Sequence, residues 1–136
     1  MNYLLDTNIC IAILNNRPEL TRHRVQHAVA EGHRIILSTI VVHELFYGAA
    51  KSSRMADSMA AIGNLLAEPY ETLGFNIEAA LAAAKIRAAL EKAGTPIGYY
   101  DLLIAGQALV HDCTLATANL REFNRVEGLK TLDWTK

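Results

Sequence analysis

The sequence contains little cysteine: Cys10 and Cys113 are its only thiols. They lie far apart along the chain and therefore do not indicate a metal-binding pair. Long apolar runs are also missing, since no stretch approaches the roughly 18 residues that a membrane-spanning helix needs. No charged start followed by a cleavage site indicates secretion. We expect a cytoplasmic protein whose two cysteines are small core residues in a reducing compartment.

A surplus of charge is absent as well. The chain has 13 lysine and arginine residues against 14 aspartate and glutamate residues. A nucleic-acid-binding protein usually carries a basic surplus. Composition alone therefore does not point to nucleic acid, and any such affinity has to come from local clusters of charge.

Apolar residues are abundant and make up 51% of the 136 positions. This content excludes a disordered chain, and we expect residues 1–136 to form a single domain. Short apolar runs predict strands at residues 3–5, 34–37, 72–73, 114–117 and 130–132. Helical periodicity predicts helices at residues 9–15, 20–31, 40–50, 53–66, 77–93 and 101–110. Short strands that alternate with helices predict an α/β sandwich with a central, mainly parallel sheet of about five strands.

Three acidic residues are difficult to explain as ordinary surface charges. Asp6 ends the first predicted strand, Glu44 lies beside the apolar positions of its helix, and Asp101 heads an apolar face. Structural explanations exist for two of them, since Asp6 could cap a helix and Asp101 could be favoured by a helix dipole. Glu44 near the core needs a partner to offset its desolvation, and its motif contains no lysine or arginine.

The predicted topology brings these acids to one edge of the sheet. Sites in open parallel sheets form outside the carboxyl ends of the strands, where the strand order reverses. If the first and fourth strands are neighbours, Asp6, Asp101 and Asn119 meet there, and Glu44 reaches the same edge from the helix after the second strand. Carboxylates that share one place require protons or a cation between them.

All-oxygen ligands suit Mg²⁺ or Mn²⁺. We therefore predict that Asp6 is a metal ligand held at a strand end. Thr7 and Asn8 would orient ligands, waters or a phosphate near the N-terminus of the following helix.

Three other classes of function are alternatives to this hypothesis. Zinc fits poorly, because His23 and His27 have no third ligand nearby. An acid-pocket phosphotransfer domain, such as a receiver or a phosphatase, would need a second acid close to Asp6, and none follows it. A non-catalytic binding module on the same fold would not need the intact set of acids.

Four motifs follow one another over nearly the whole chain: LLDTNI at 4–9, Ser38 with HEL at 43–45 and Gly48, IGYYDLLIAG at 97–106, and LATANLREF at 115–123. With these motifs the chain resembles the PIN-domain family, and within it the VapC-type toxins of bacterial toxin–antitoxin pairs. The resemblance implies a PIN-like three-layer sandwich. It also implies an endoribonuclease, dependent on Mg²⁺ or Mn²⁺, that cleaves cellular RNA and arrests growth.

The resemblance implies catalytic and metal-binding roles for Asp6, Glu44 and Asp101. We expect Asp6 and Asp101 to contact the metal directly and Glu44 to act through water. Many members carry a fourth acid where this chain has Asn119, which removes one charge. Glu122, one helical turn further on, is the candidate to replace it.

The subgroup that also has asparagine at this place cuts initiator tRNA in its anticodon loop, which implies a tRNA substrate. Four basic residues are candidate RNA contacts, although each is also explained as a solvated surface charge: Lys85, Arg87, Arg121 and Arg125.

The resemblance further implies two protein partners, a cognate antitoxin and a second copy of the chain in a homodimer. Five apolar side chains could form the groove for an antitoxin segment: Ile9, Ile13, Leu14, Phe46 and Tyr47. The alternative is that these side chains belong to the core.

Overall fold

The computed structural model describes residues 1–136 and contains one sheet of five strands. The strands are β1 (Asn2–Leu5), β2 (Arg34–Ser38), β3 (Glu71–Leu73), β4 (Thr114–Ala116) and β5 (Thr131–Leu132). Every pairing is parallel and the order is β3-β2-β1-β4-β5. The predicted parallel sheet is confirmed, and so is the expectation that the first and fourth strands are neighbours.

Seven helices connect and cover these strands. They are α1 (Thr7–Asn15), α2 (Glu19–Ala30), α3 (Thr39–Ala50), α4 (Met55–Leu66), α5 (Ile77–Lys92), α6 (Tyr99–Val110) and α7 (Leu120–Phe123). The six predicted helices are all present with ends shifted by one or two residues, whereas α7 was not predicted. None of the seven has the length and apolar character needed to cross a membrane.

The sheet forms the centre of the core. All residues of β4, and all but the first of β1 and β2, are buried. Because successive side chains of a strand point to opposite faces, helices must cover both faces of the sheet. Cys10 and Cys113 are both buried and free, as the sequence predicted.

The pair α5 and α6 packs at very short range. A Cβ atom at Gly106 would lie 2.8 Å from the backbone oxygen of Ala79 and 3.0 Å from Cβ of Ala83. Only glycine permits this approach, which fixes α6 against α5. Since α6 carries Asp101 in its first turn, the same contact positions one of the three acids.

Two expected helix starts need correction. Helix α1 begins at Thr7 rather than Ile9, because the side chain of Asp6 accepts the Thr7 N–H and so caps the helix. Helix α6 begins at Tyr99 after Gly98, so Asp101 is its third residue and not its first.

Candidate active site

Asp6 occupies the end of β1 at the point where β1 lies between β2 and β4. It is only 3% exposed, and three donors contact its carboxylate. Oδ1 accepts the Thr7 N–H at 2.9 Å, and Oδ2 accepts from Asn8 Nδ2 at 3.0 Å and from Thr117 Oγ1 at 2.8 Å. A carboxylate has about four acceptor positions, so one remains for a ligand.

The donors around Asp6 offset its burial. Burial raises the pKa of Asp6, whereas the hydrogen bonds from Thr117, Thr7 and Asn8 lower it. The structural explanation of Asp6 as a helix cap is correct, because its side chain accepts the Thr7 N–H.

Glu44 is half-buried on α3, and its partner is a hydroxyl rather than a cation. Thr7 Oγ1 donates a hydrogen bond of 3.1 Å to Glu44 Oε1. Burial raises the pKa of Glu44, Thr7 lowers it, and the negative charge of Asp6 raises it again. Thr7 thus joins the end of β1 to α3, and the two acids are close enough to repel each other.

Asp101 lies close to the other acidic residues of the site. Its pKa is raised to about 8, first by burial and then by a hydrogen bond shared with the Glu122 carboxyl, with further contributions from the charges of Asp6 and Glu44. A Cβ atom at Gly98 would lie 3.4 Å from Asp101 Oδ2, so this carboxyl folds back over the start of α6. The structure brings Asp6, Glu44 and Asp101 together as predicted.

Asn119 and Glu122 lie beside these three acids. Asn119 Nδ2 donates to Glu122 Oε2 at 2.7 Å, and the Asn119 N–H donates to Thr117 Oγ1 at 2.9 Å. The hydrogen bonds with Asp101 and Asn119 lower the pKa of Glu122. Asn119 therefore holds Glu122 beside Asp101.

Asn8 and Thr117 complete the supporting contacts. Asn8 Oδ1 accepts the Ala118 N–H at 2.9 Å, which ties α1 to the segment after β4. Thr117 was not predicted as a site residue, although it ends the apolar segment TLAT at the same sheet edge. Its position was the signal that could have identified it.

The donor set fits a hard divalent cation. No three histidine, cysteine, aspartate or glutamate side chains surround a common point closely enough to enclose an ion. Mg²⁺ does not need such an enclosure, because it keeps several waters and takes one or two carboxylates. Burial and the like charges of Glu122, Asp6 and Glu44 raise the pKa of Asp101, so a cation beside this carboxylate would be stabilised. His27, considered above as a zinc ligand, is exposed and lies 2.8 Å from Glu31.

The four basic candidates differ in their relation to the acids. Arg121 and Arg125 lie close enough to Glu122 for their charges to lower its pKa, after the larger effects of Asp101 and Asn119. Arg87 binds Glu91 at 2.9 Å on α5. Lys85 is exposed on α5, and no ion pair joins it to the acids.

The apolar groove predicted from the sequence is partly wrong. Ile9 and Ile13 are 0% and 6% exposed, because α1 is covered by other elements on most of its surface, and both belong to the core. A groove of about 330 Å³ does lie between α1, α3 and α4, and it reaches Glu44. Leu14 lines it, as predicted, together with Ile11. Phe46 and Tyr47 are exposed but do not line this groove.

A parallel α/β sheet with carboxylates at the carboxyl edge of adjacent strands defines the class of enzymes that hold a divalent cation through acidic side chains. Residues 3–129 match the family model described as PIN domain. The chain belongs to the PIN domain family, and within it to the VapC-type ribonucleases, as the motifs predicted. Ribonucleases of this family generally depend on a divalent metal ion.

Comparisons with known proteins cover the full length of the chain. It is 37% identical to the tRNA(fMet)-specific endonuclease VapC of Salmonella typhimurium over 98% of both sequences. It is 40% identical to ribonuclease VapC1 of Haemophilus influenzae over 100% of both. The structure of VapBC2 from Rickettsia felis, bound to a DNA fragment from its promoter, superposes with a TM-score of 0.91 at 32% identity and covers 98% of this chain and 99% of that one. The predicted PIN-like sandwich is confirmed.

Proposed function

We propose that this protein is an endoribonuclease that hydrolyses a phosphodiester bond of tRNA with Mg²⁺ or Mn²⁺ held by Asp6 and Asp101. The observation that carries the proposal is the convergence of Asp6, Glu44 and Asp101 at the end of β1, where the charge of Asp6 adds to burial in raising the pKa of both Glu44 and Asp101. Burial and like charges both disfavour ionised carboxylates at this place, and a bound divalent cation would offset that cost.

Each residue of the site has a separate role in this proposal. Asp6 contributes its remaining acceptor position, while Thr7, Asn8 and Thr117 hold its carboxylate in place. Glu44 is fixed by Thr7 and orients a water molecule that reaches the scissile phosphate. The divalent ion supplies Lewis-acid activation of water and stabilises charge on the phosphate.

Glu122 takes the place of the fourth acid in this proposal. Asn119 itself carries no charge, but its amide donates to Glu122 and turns that carboxylate toward Asp101. Glu122 therefore restores the negative charge that the asparagine removes. Arg121 and Arg125, which lie beside Glu122, would contact phosphates of the RNA, whereas Lys85 and Arg87 would contact it further from the acids.

The tRNA substrate follows from the relative of Salmonella typhimurium, whose name is tRNA(fMet)-specific endonuclease. Initiator tRNA is accordingly the first substrate to test, with a cut in the anticodon loop. Such a substrate places the enzyme in the cytoplasm. Cleavage there would arrest translation, so a chain with this activity needs an inhibitor.

We further propose that the chain is the toxin of a toxin–antitoxin pair and that it acts as a homodimer. The relative from Rickettsia felis was crystallised as VapBC2. In this chain the groove between α1, α3 and α4 suits an apolar antitoxin segment, because Ile11 and Leu14 line it together with Glu44. A basic antitoxin side chain in this groove would pair with Glu44 and block the site.

The acid-pocket phosphotransfer alternative is not favoured, because the relatives are named as ribonucleases and no acid follows Asp6 at the second position. Acetyl phosphate should therefore leave no acyl phosphate on the protein.

The test is cleavage of purified tRNA. The protein is incubated with bulk tRNA and Mg²⁺ or Mn²⁺, and the new RNA ends are sequenced. One dominant cut in an anticodon loop is expected, and Asp6→Asn should abolish it. Intact tRNA with the unmodified protein in the presence of each metal would refute the proposed function, and cuts scattered over the tRNA pool without a dominant site would refute a specific tRNA substrate.

A further inference from the structure

Two exposed aromatic rings lie directly beside the acids. His43 and Tyr100 immediately precede Glu44 and Asp101 in sequence, and their ring centroids are 5.8 Å apart with the planes tilted by 60°. Tyr100 is 48% exposed and His43 is exposed as well. Burial raises the pKa of Glu44, whereas the charge of the neighbouring His43 lowers it, so this imidazole is close to the site.

A third exposed ring immediately precedes Tyr100 in the sequence. Tyr99 is 70% exposed in the first turn of α6. The guanidinium of Arg87 lies 4.8 Å from the centre of the Tyr99 ring and is held there by Glu91. The arrangement places a cation against an exposed π-face in the turn of α6 that also carries Tyr100 and Asp101.

The core does not account for this exposure. Large aromatic side chains are normally well buried, and neighbouring exposed ones mark a place where another molecule binds. The acids themselves can recognise only a phosphate through a cation, which is the same for every nucleotide. An aromatic ring beside the acids is positioned to recognise the base of the nucleotide that carries this phosphate.

We propose that His43 and Tyr100 form a stacking platform for an unpaired base of the RNA, at the nucleotide next to the scissile phosphate, and that Tyr99 and Arg87 bind the following part of the strand. The proposal rests on the ribonuclease function proposed above. Proteins recognise single-stranded RNA by stacking its bases on aromatic side chains and guanidinium planes, and a base inside a duplex has no free face to offer. The platform thus requires a looped or unpaired cleavage site.

Steady-state kinetics on a short single-stranded RNA that contains the cut sequence provide the test. Tyr100→Ala is expected to raise KM about tenfold, with kcat changed by less than about twofold, because stacking contributes mainly to binding. Tyr100→Phe keeps the ring and should restore the original KM. Ile77→Ala is the matched control, since Ile77 is an apolar side chain that is 84% exposed at the start of α5, away from the acids.

A second substrate separates stacking from other effects of the substitution. In an RNA whose nucleotide next to the cut lacks its base, the original protein and Tyr100→Ala should have the same KM. An unchanged KM of Tyr100→Ala on the complete RNA, while the original protein cleaves it, would overturn the platform and leave the ribonuclease function intact. A halved molecular mass of Tyr100→Ala in light scattering would show a subunit contact and would also overturn it. Failure of the original protein to cleave any RNA would refute the proposed function itself.

Discussion

The hydroxyl of Thr117 donates a hydrogen bond of 2.8 Å to Oδ2 of Asp6 across 111 positions of the sequence. Both side chains are buried, and they lie at the ends of the adjacent strands β4 and β1. Of the three hydrogen bonds that lower the pKa of Asp6 against its burial, this one has the largest effect. The charge of Asp6 thus depends on Thr117, which lies far from it in the sequence.

Thr117→Val should shift the pH profile of RNA cleavage. The substitution keeps the shape of the side chain but removes the donor, so the pKa of Asp6 rises further. Because an ionised Asp6 is needed to bind the metal, the acid limb of the profile should move to higher pH, and activity at pH 6 should fall more than activity at pH 8. Stability should fall by about 2 kcal/mol, a typical value for a hydrogen bond to a charged group.

Thr114→Val is the control for this experiment. Thr114 lies in the same strand and is also buried, but it does not contact Asp6. The acid limb of the pH profile of Thr114→Val should match that of the original protein. If Thr117→Val leaves the limb in place as well, Thr117 does not control the charge of Asp6.

Asp101→Asn should make the metal-free protein more stable at neutral pH and above. The pKa of Asp101 is raised from 3.8 to about 8, with burial as the first cause and Glu122 as the second. The folded protein therefore holds this proton more tightly than the unfolded chain, and the resulting stability is complete below about pH 4 and is lost as the pH rises toward 8. The asparagine variant avoids that loss. Because Asp101 is only half-buried, we expect a gain on the order of 1 kcal/mol at pH 8 in EDTA.

Thermal melting in EDTA and in millimolar Mn²⁺ measures both parts of this prediction. Mn²⁺ should raise the melting temperature of the original protein by mass action and leave Asp101→Asn almost unchanged. A lower melting temperature of the variant in EDTA, together with a preserved Mn²⁺ response, would mean that Asp101 only stabilises the start of α6.

The general position of the site could be predicted from the sequence, because it follows from strand order. Short apolar strands that alternate with helices predict a parallel sheet, and the carboxyl ends of parallel strands all lie at the same edge of the sheet. Thr117 and the bond from Thr7 to Glu44 could not be predicted, since they depend on rotamers and distances across the sheet. Helix α7 has four residues, too few for a helical period to be visible. Ile9 and Ile13 were assigned to a groove because periodicity identifies an apolar face but not what covers it.

Gln107→Leu should lower the stability of the protein, because the Gln107 side chain connects α6 to the carboxyl ends of β2 and β3 by hydrogen bonds. Gln107 is fully buried, accepts from Ser38 Oγ at 2.5 Å and donates to the Gly74 carbonyl at 3.2 Å. Leucine has a similar volume but leaves these groups unsatisfied, at a cost of about 3 kcal/mol. The midpoint of urea denaturation should fall accordingly, whereas Gln26→Leu on the exposed face of α2 should change it little. Equal midpoints for the two variants would contradict the role of this buried amide.

Gly106→Ala and Gly63→Ala should change stability in opposite directions. The added methyl group at residue 106 meets the backbone of α5 within 3.0 Å, so α6 must move at a cost of about 1–3 kcal/mol. Gly63 lies within α4 and has no atom within 4 Å of the added position. Alanine there should stabilise the helix by about 0.5–1 kcal/mol. Chemical denaturation provides both values, and a stable Gly106→Ala variant would show that α5 and α6 are less closely packed than described.

The central claim is that the acids at the end of β1 hold the divalent cation. Anomalous diffraction from crystals soaked in Mn²⁺ tests it most directly, because the signal locates the ion without reference to activity. We predict a single strong peak at direct bonding distance from carboxylate oxygens of Asp6 and Asp101, and no peak there in crystals of Asp6→Asn. A peak elsewhere on the protein, or a site at Asp6 and Asp101 that stays empty of Mn²⁺, would contradict the account.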